Sequence, residues 1–322
     1  MSIDDVIHQE VFSCRACTAP VFDDEPYCEV CGAPSPAETI EPVQPAARPR
    51  PDRDEWDLGV VAAVTDRGHR RRRNEDAVRI ARVGEHVVVV VCDGVASTAN
   101  ADLAGRTAAD AALETLESAL VRLERAGTHG VQEAITGAFA AAQEAVARVV
   151  GQEVDGNALS PSTTMVVAVA TRQQVVVGNV GDSRAYWLGR TPGHGRLLTV
   201  DDSWAQASIA EGVEPEIAYA DPEAQTITRW IGADSESTTP TMTVMDVGEP
   251  GLLVVCSDGL WNYFEEPDEL AGVTLPGGSR ALDVARAYAE AALAAGGQDN
   301  VTVAVWPFDP ESTMVPGAPR GE

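Results

Sequence analysis

The sequence predicts a layered α+β sandwich. Three observations carry that reading. Short Val-rich runs, apolar almost throughout, recur between Trp56 and Phe308, and such runs belong to a sheet that is covered on both faces. Two long Ala/Leu/Glu-rich segments of helical periodicity follow one another directly. The order is therefore strands, two helices, more strands, a helix and a strand, which fits stacked layers better than βαβ winding.

The strands are Val60–Val64, Val87–Cys92, Thr164–Ala170, Val175–Val180, Ser183–Leu188, Leu252–Cys256 and Val301–Trp306, each short and rich in β-branched residues. Helices are expected from about Asp102 to Arg125 and from His129 to Val150, where good helix formers dominate. A third helix, Ser279 to Ala295, stops at Gly296-Gly297. Residues 55–308 thus read as one large domain. Residues 1–36 are short, loop-like and Cys-rich; residues 37–54 hold four prolines among polar residues and read as a linker. Residues 309–322 are Pro/Gly-rich, the composition of a disordered tail.

Charge narrows the function classes. A net charge of -27 over 322 residues repels phosphate backbones, so nucleic acid is not an expected partner. The same charge suits the collection of cations, although it also simply keeps a protein soluble. The longest apolar run, Val87–Cys92, falls far short of the roughly 20 residues that cross a bilayer, so no membrane partner is expected. The acidic amino terminus lacks a basic, then apolar, export signal, and a cytoplasmic location follows as an expectation.

Four of the six cysteines form two C-x-x-C pairs, Cys14/Cys17 and Cys28/Cys31, the second followed by Gly32. Each pair can turn two thiolates toward one ion, and the spacer is long enough for a hairpin that joins the turns. Four thiolates would close a structural Zn2+ site, and in so short a module the metal would supply the folding energy. Disulfides or a redox motif are the alternatives, but no export signal and no βαβ context accompany them. Cys92 and Cys256 lie inside apolar strands and read as buried thiols.

Three carboxylates share a setting. Val87–Cys92 runs into Asp93-Gly94, Leu252–Ser257 into Asp258-Gly259, and Asp299-Asn300 directly precedes Val301–Trp306. A carboxylate against an apolar strand is costly to bury unless something offsets its charge. Three of them at strand ends can converge on one cation, and oxygen-only ligands favour hard ions such as Mg2+ or Mn2+. Glycine after the aspartate lets the backbone carbonyl approach the ion too. Each Asp-Gly alone also reads as an ordinary turn. A basic run, Arg70 to Arg73, leads into Asn74-Glu75-Asp76. Beside acidic metal ligands, an arginine is what phosphate recognition needs, because the guanidinium grips two oxygens at once.

The ordered set resembles the metal-dependent Ser/Thr protein phosphatases of the type 2C class, in a bacterial form. The motifs are Asp66-Arg67-Gly68, Arg71, Asn74-Glu75-Asp76-Ala77, Val91-Cys92-Asp93-Gly94, Ser162-Thr163-Thr164, Gly181-Asp182-Ser183-Arg184-Ala185, Ser257-Asp258-Gly259-Leu260 and Gly297-Gln298-Asp299-Asn300-Val301-Thr302. Each is weak alone; together they span nearly the whole large domain. The resemblance implies a four-layer α/β/β/α sandwich of two antiparallel sheets flanked by helices, with a centre of two Mn2+ or Mg2+ ions at one edge. Asp93 would bridge the ions, with the Gly94 carbonyl assisting. Asp258 and Asp299 would complete one ion, Glu75 would hold the other, and Asp76 would support from behind. Arg71 stands at the family's phosphate-binding position. A water made acidic by two ions would attack phosphorus, with no cysteine nucleophile, and the substrates would be phosphoproteins made by a Ser/Thr protein kinase.

The sequence also departs from the family pattern. Asp182 is present for a third ion, but its partner position is Asn262, and an amide is a weaker ligand. The glycine- and histidine-bearing stretch after the first Asp-Gly is replaced by Val95–Asn100. None of the five histidines reads as a general acid. An active phosphatase is the first reading. The second is an inactive phosphatase-fold scaffold that presents the zinc module to a partner; retention of Arg71, Asp93, Asp258 and Asp299 favours the first.

Overall fold

The computed structural model describes residues 11–14, 20–22, 52–95, 98, 100–123, 127–150, 160–191, 193–275 and 280–310. Strands β1 (Val11–Ser13) and β2 (Pro20–Phe22) form a small antiparallel hairpin. Next come β3 (Arg53–Asp57), β4 (Ala62–Asp66), β5 (Ala77–Val83) and β6 (His86–Cys92). The long helices α1 (Ala101–Leu120) and α2 (Thr128–Val150) follow. Then come β7 (Ser162–Thr163), β8 (Met165–Ala170), β9 (Gln174–Val180), β10 (Arg184–Gly189) and β11 (Arg196–Leu197). An excursion carries the short helices α3 (Trp204–Ala210) and α4 (Pro215–Tyr219). The chain closes with β12 (Ile231–Gly232), β13 (Thr241–Asp246), β14 (Gly251–Cys256), α5 (Asp258–Trp261), α6 (Pro267–Ala271), α7 (Ala281–Ala295) and β15 (Val301–Phe308).

Two antiparallel sheets form, ordered β11-β10-β14-β15-β4-β3 and β13-β9-β8-β6-β5. The period-2 alternation of each strand decides how they stack. In β6, Val88, Val90 and Cys92 pack against Ala108, Leu116 and Phe139 of α1 and α2. Val87, Val89 and Val91 face the other way, toward Ala185, Leu253 and Trp306 of the opposite sheet. In β15, Ala304 and Trp306 join that central layer, while Val303 and Val305 meet Ala285, Tyr288 and Ala289 of α7. Helices thus cover both outer faces of a sheet-on-sheet core. Complete burial of each Val is worth roughly 1.5–3 kcal/mol, which explains why the strands tolerate almost no polar residue. Among the described residues, no helix is long and apolar enough to cross a membrane.

Some expectations shift. The linker ends earlier than residue 54, because Arg53 and Asp54 pair with Asp66 and Thr65 in β3–β4. Strands β5 and β13 escape the Val-run criterion. β5 carries Arg79 and Arg82, and β13 is an edge strand whose side chains are mostly half-exposed or exposed. The first long helix ends at Leu120 and tightens into a 3-10 turn, Val121–Leu123; Arg125 lies outside the described residues. Cys14 is buried beside the β1–β2 hairpin, but Cys17, Cys28 and Cys31 lie outside the described residues, as does the tail beyond Pro310.

Candidate metal centre

Antiparallel register delivers the acidic residues to one end of the sandwich. Asp66 closes β4 opposite Val301, so Asp299 and the loop after Asp66 lie side by side. Cys256 pairs with Arg184, bringing Asp258 next to Asp182. Cys92 pairs with Ala77, bringing Asp93 next to Asp76.

Electrostatics show how closely these groups meet. Burial, followed by the charges of Asp76, Asp258, Asp299 and Asp182, pushes the Asp93 carboxyl well above the usual carboxylate range. Asp258 is raised in the same way, by burial and then by Asp299, Asp182 and Asp76, against a smaller pull from Arg71. Asp182 is lifted to about 7 by burial and Asp201. Asp76 is lifted to about 6 by burial, against hydrogen bonds from Thr302 and Ser257 that favour its ionised form. Burial works against the charge on Arg71, but Asp299, Glu75 and Asp258 outweigh it and hold the guanidinium protonated. Arg71 Nη2 donates to Asp299 Oδ2 at 2.6 Å.

These side chains lean on one another. Among the described residues, no three His, Cys, Asp or Glu side chains form a ready-made cage around one point. The chemistry nevertheless fits hard divalent cations. The donors are all oxygens, they repel one another, and Asp76 Oδ1 and Asp258 Oδ1 are buried without a hydrogen-bond partner. A buried anionic oxygen with no donor is costly, and a cation would offset both the repulsion and the lost solvation.

The surroundings are built to hold this end still. Asn300 accepts from the Glu75 N–H at 2.7 Å and donates Nδ2 to the carbonyls of Arg67 and Arg73, clamping the loop that carries Arg71. Ser257 Oγ donates to Asp76 Oδ2 at 2.7 Å and accepts from the Thr302 N–H. Thr65 and Thr302 hydroxyls meet at 2.6 Å, and Asn74 donates to Thr65. The glycines have contacts to match. A Cβ on Gly259 would stand 1.9 Å from the Asn300 carbonyl oxygen, and one on Gly94 would stand 2.8 Å from the Ala101 backbone and 2.9 Å from the Glu75 carbonyl. Close backbone approach accounts for the Gly after Asp258 directly.

The family described as Protein phosphatase 2C matches residues 65–295. The chain belongs to that family. It is 30% identical over 247 residues to the serine/threonine protein phosphatase PstP of Mycobacterium tuberculosis, covering 76% of this chain but only 44% of PstP. It is 31% identical over 248 residues to the serine/threonine phosphatase stp of Listeria innocua, covering 74% and 92%. Among solved structures, serine/threonine phosphatase Stp1 from Staphylococcus aureus shares the fold, with a TM-score of 0.66, 24% identity and coverage of 79% and 96%. The catalytic domain of PstP, solved in complex with two manganese ions, gives a TM-score of 0.56 at 26% identity and coverage of 76% and 96%. This chain therefore spans less than half of the M. tuberculosis relative that it matches.

For a 2C-type chain, the structure gathers Arg71, Asp76, Asp93, Asp182, Asp258 and Asp299 into one electrostatic cluster. Glu75 flanks it, within 4.0 Å of Arg73 Nε, and Gly94 bridges to Thr163 behind it. Asn262 donates Nδ2 to Asp258 Oδ2 at 3.2 Å. Sequence reasoning assigned no role to Asn300, Ser257 or Thr302. The signal for them was available, since each is a polar residue within or beside an otherwise apolar strand. Nor did it foresee the buried pair of Arg184 with Asp201, where Nη2 to Oδ2 is 2.7 Å.

Proposed function

We propose that the chain is a metal-dependent protein serine/threonine phosphatase. The observation that carries this is the buried, oxygen-only carboxylate cluster with Arg71 at its rim. Asp93, Asp258 and Asp299 would hold one or both of two divalent ions, with Glu75 and the Gly94 carbonyl completing the set. When bound, such ions neutralise the cluster and lower the pKa of water toward neutrality. Arg71, kept charged by its acidic neighbours, grips the equatorial oxygens of the phosphoryl group and fixes its orientation. Asp76 is anchored by Ser257 and holds Asp93 from behind. Asn300 sets the loop from which Arg71 and Glu75 project, so both reach the site from a rigid base.

Two ions are favoured over three, because the Asn262 amide donates its N–H to Asp258 and offers no charge of its own. The cysteines take no part, since burial raises the thiols of Cys92 and Cys256 far above their ordinary range, which leaves no thiolate nucleophile. The substrates are phosphoserine and phosphothreonine proteins, the products of a Ser/Thr kinase. The Cys14/Cys17 and Cys28/Cys31 spacing supports a structural zinc in the amino-terminal segment, which metal analysis of the purified chain would test.

The experiment is phosphate release from a phosphothreonine peptide, with Mn2+ and after chelation. Mn2+-dependent turnover that is lost in Asp93→Asn is expected. A folded, Mn2+-binding chain with no turnover would refute the assignment and return the scaffold reading.

A further inference from the structure

A cavity of about 240 Å³ opens beside the carboxylate cluster but outside it. Its walls come from β11, the α3–α4 excursion and the start of α6, and include Leu197, Val200, Tyr219, Glu265, Glu266 and Pro267. Its floor is Arg184, a residue already spent. The guanidinium holds Asp201 through Nε and Nη2 and lies 3.8 Å from the centroid of the Trp261 ring. Trp261 Nε1 donates to the Asp182 carbonyl at 2.9 Å. Arg184, which lines the cavity, is thus linked through Trp261 to the backbone of Asp182 in the candidate metal centre.

Two independent features give the cavity a preference. The first is apolar surface. Of the eleven exposed large hydrophobic side chains among the described residues, six lie between residues 197 and 219: Leu197, Val200, Trp204, Val213, Ile217 and Tyr219. Such a concentration next to a cavity marks a contact surface. The second is charge. Asp201, Glu265 and Glu266 line the cavity against a single basic residue, Arg184. At the rim, Glu265 is 54% exposed and sits 3.5 Å from an arginine that Asp201 already neutralises. Glu266 is exposed as well.

A long aliphatic stem ending in a cation satisfies both features at once. The stem lies on Leu197, Val200 and Pro267, and the head meets Glu265, Glu266 and the face of Tyr219. We propose that this cavity is a docking subsite for an arginine or lysine side chain of the phosphoprotein substrate, several residues away from the phosphorylated one. The inference rests on the phosphatase reading above and adds a substrate preference to it. An acidic or neutral neighbour gains nothing here, so the enzyme discriminates among phosphosites by their basic flanks.

The test compares phosphothreonine peptides with one arginine walked along an Ala/Ser background against the same peptides with glutamine in its place. For the full-length chain with Mn2+, kcat/KM is expected to favour one arginine register by roughly tenfold, mainly through KM, the size of a partly exposed ion pair plus a cation–π contact. In Glu265→Gln/Glu266→Gln the ratio should collapse to about one; Gln keeps the acceptor with which Glu266 caps α6. No preferred register, or a preference that survives in the double variant, would overturn the proposal. Turnover of p-nitrophenyl phosphate reports on the phosphatase reading separately. If that turnover is absent, fluorescence anisotropy of the labelled peptides on the same two proteins still reads the subsite, with the same expected ratio and the same refuting results.

Discussion

Removing metal should make the stability of this protein fall as pH rises, the reverse of ordinary acid denaturation. Asp76 is 6% exposed and its carboxyl is lifted from 3.8 to about 6, chiefly by burial. Between those values the folded chain keeps a proton that the unfolded chain has released. The folded state therefore binds more protons, and stability declines with pH across that window. Below about 4 there is no penalty; above about 6 it is complete. A lift of about 2 pH units corresponds to roughly 3 kcal/mol at 1.36 kcal/mol per unit. For a domain of this size that is on the order of 6–12 °C in melting temperature. Asp182, lifted to about 7, extends the decline toward neutrality, by less than its full shift because it is partly exposed.

The assay is thermal unfolding of the chelated chain at closely spaced pH values, beside Asp76→Asn. The variant retains an acceptor for Ser257 but cannot ionise. The two curves should coincide near pH 4 and diverge toward pH 7, with the variant the more stable. Saturating Mn2+ should close most of the gap, since ligand at 100-fold over Kd adds about 2.7 kcal/mol to the protein that binds it. Curves that stay parallel from pH 4 to 7, or a wild-type chain that gains on the variant, would refute the reasoning.

Other expectations follow from single contacts. Asn300→Ala strips the Glu75 N–H and the carbonyls of Arg67 and Arg73 of their partner; activity should fall at least tenfold while Mn2+ still raises the melting temperature, which calorimetry and phosphate release together would check. Gly259→Ala drives a Cβ to within 1.9 Å of the Asn300 carbonyl, and soluble yield and melting temperature should drop sharply, whereas Gly127→Ala, with open space around it, should not. Arg184→Met alone leaves Asp201 buried without its cation and should cost about 3–5 kcal/mol in denaturant unfolding, much of which Asp201→Leu in the same chain should recover.

What the sequence determined by itself was the layering and the chemical class of the site. The Val runs of β6, β8, β9, β14 and β15 are legible because doubly covered strands exclude polar residues, and that exclusion is written one residue at a time. Asp93, Asp258 and Asp299 stood out for the same reason: each interrupts or abuts such a run. Strands β5 and β13 were not legible, because strands at the edge of a sheet admit arginine and threonine and lose the pattern. Tertiary structure alone decided the rest. That Asn300 clamps a loop more than 200 residues earlier is a consequence of β15 pairing with β4, and no local pattern encodes that distance. The cavity over Arg184 arises where three separated segments meet, and its acidic, apolar walls read in the sequence as ordinary surface. Which carboxylates share one field depends on register, which long-range strand pairing sets, and so the site became a single electrostatic object only in the folded chain.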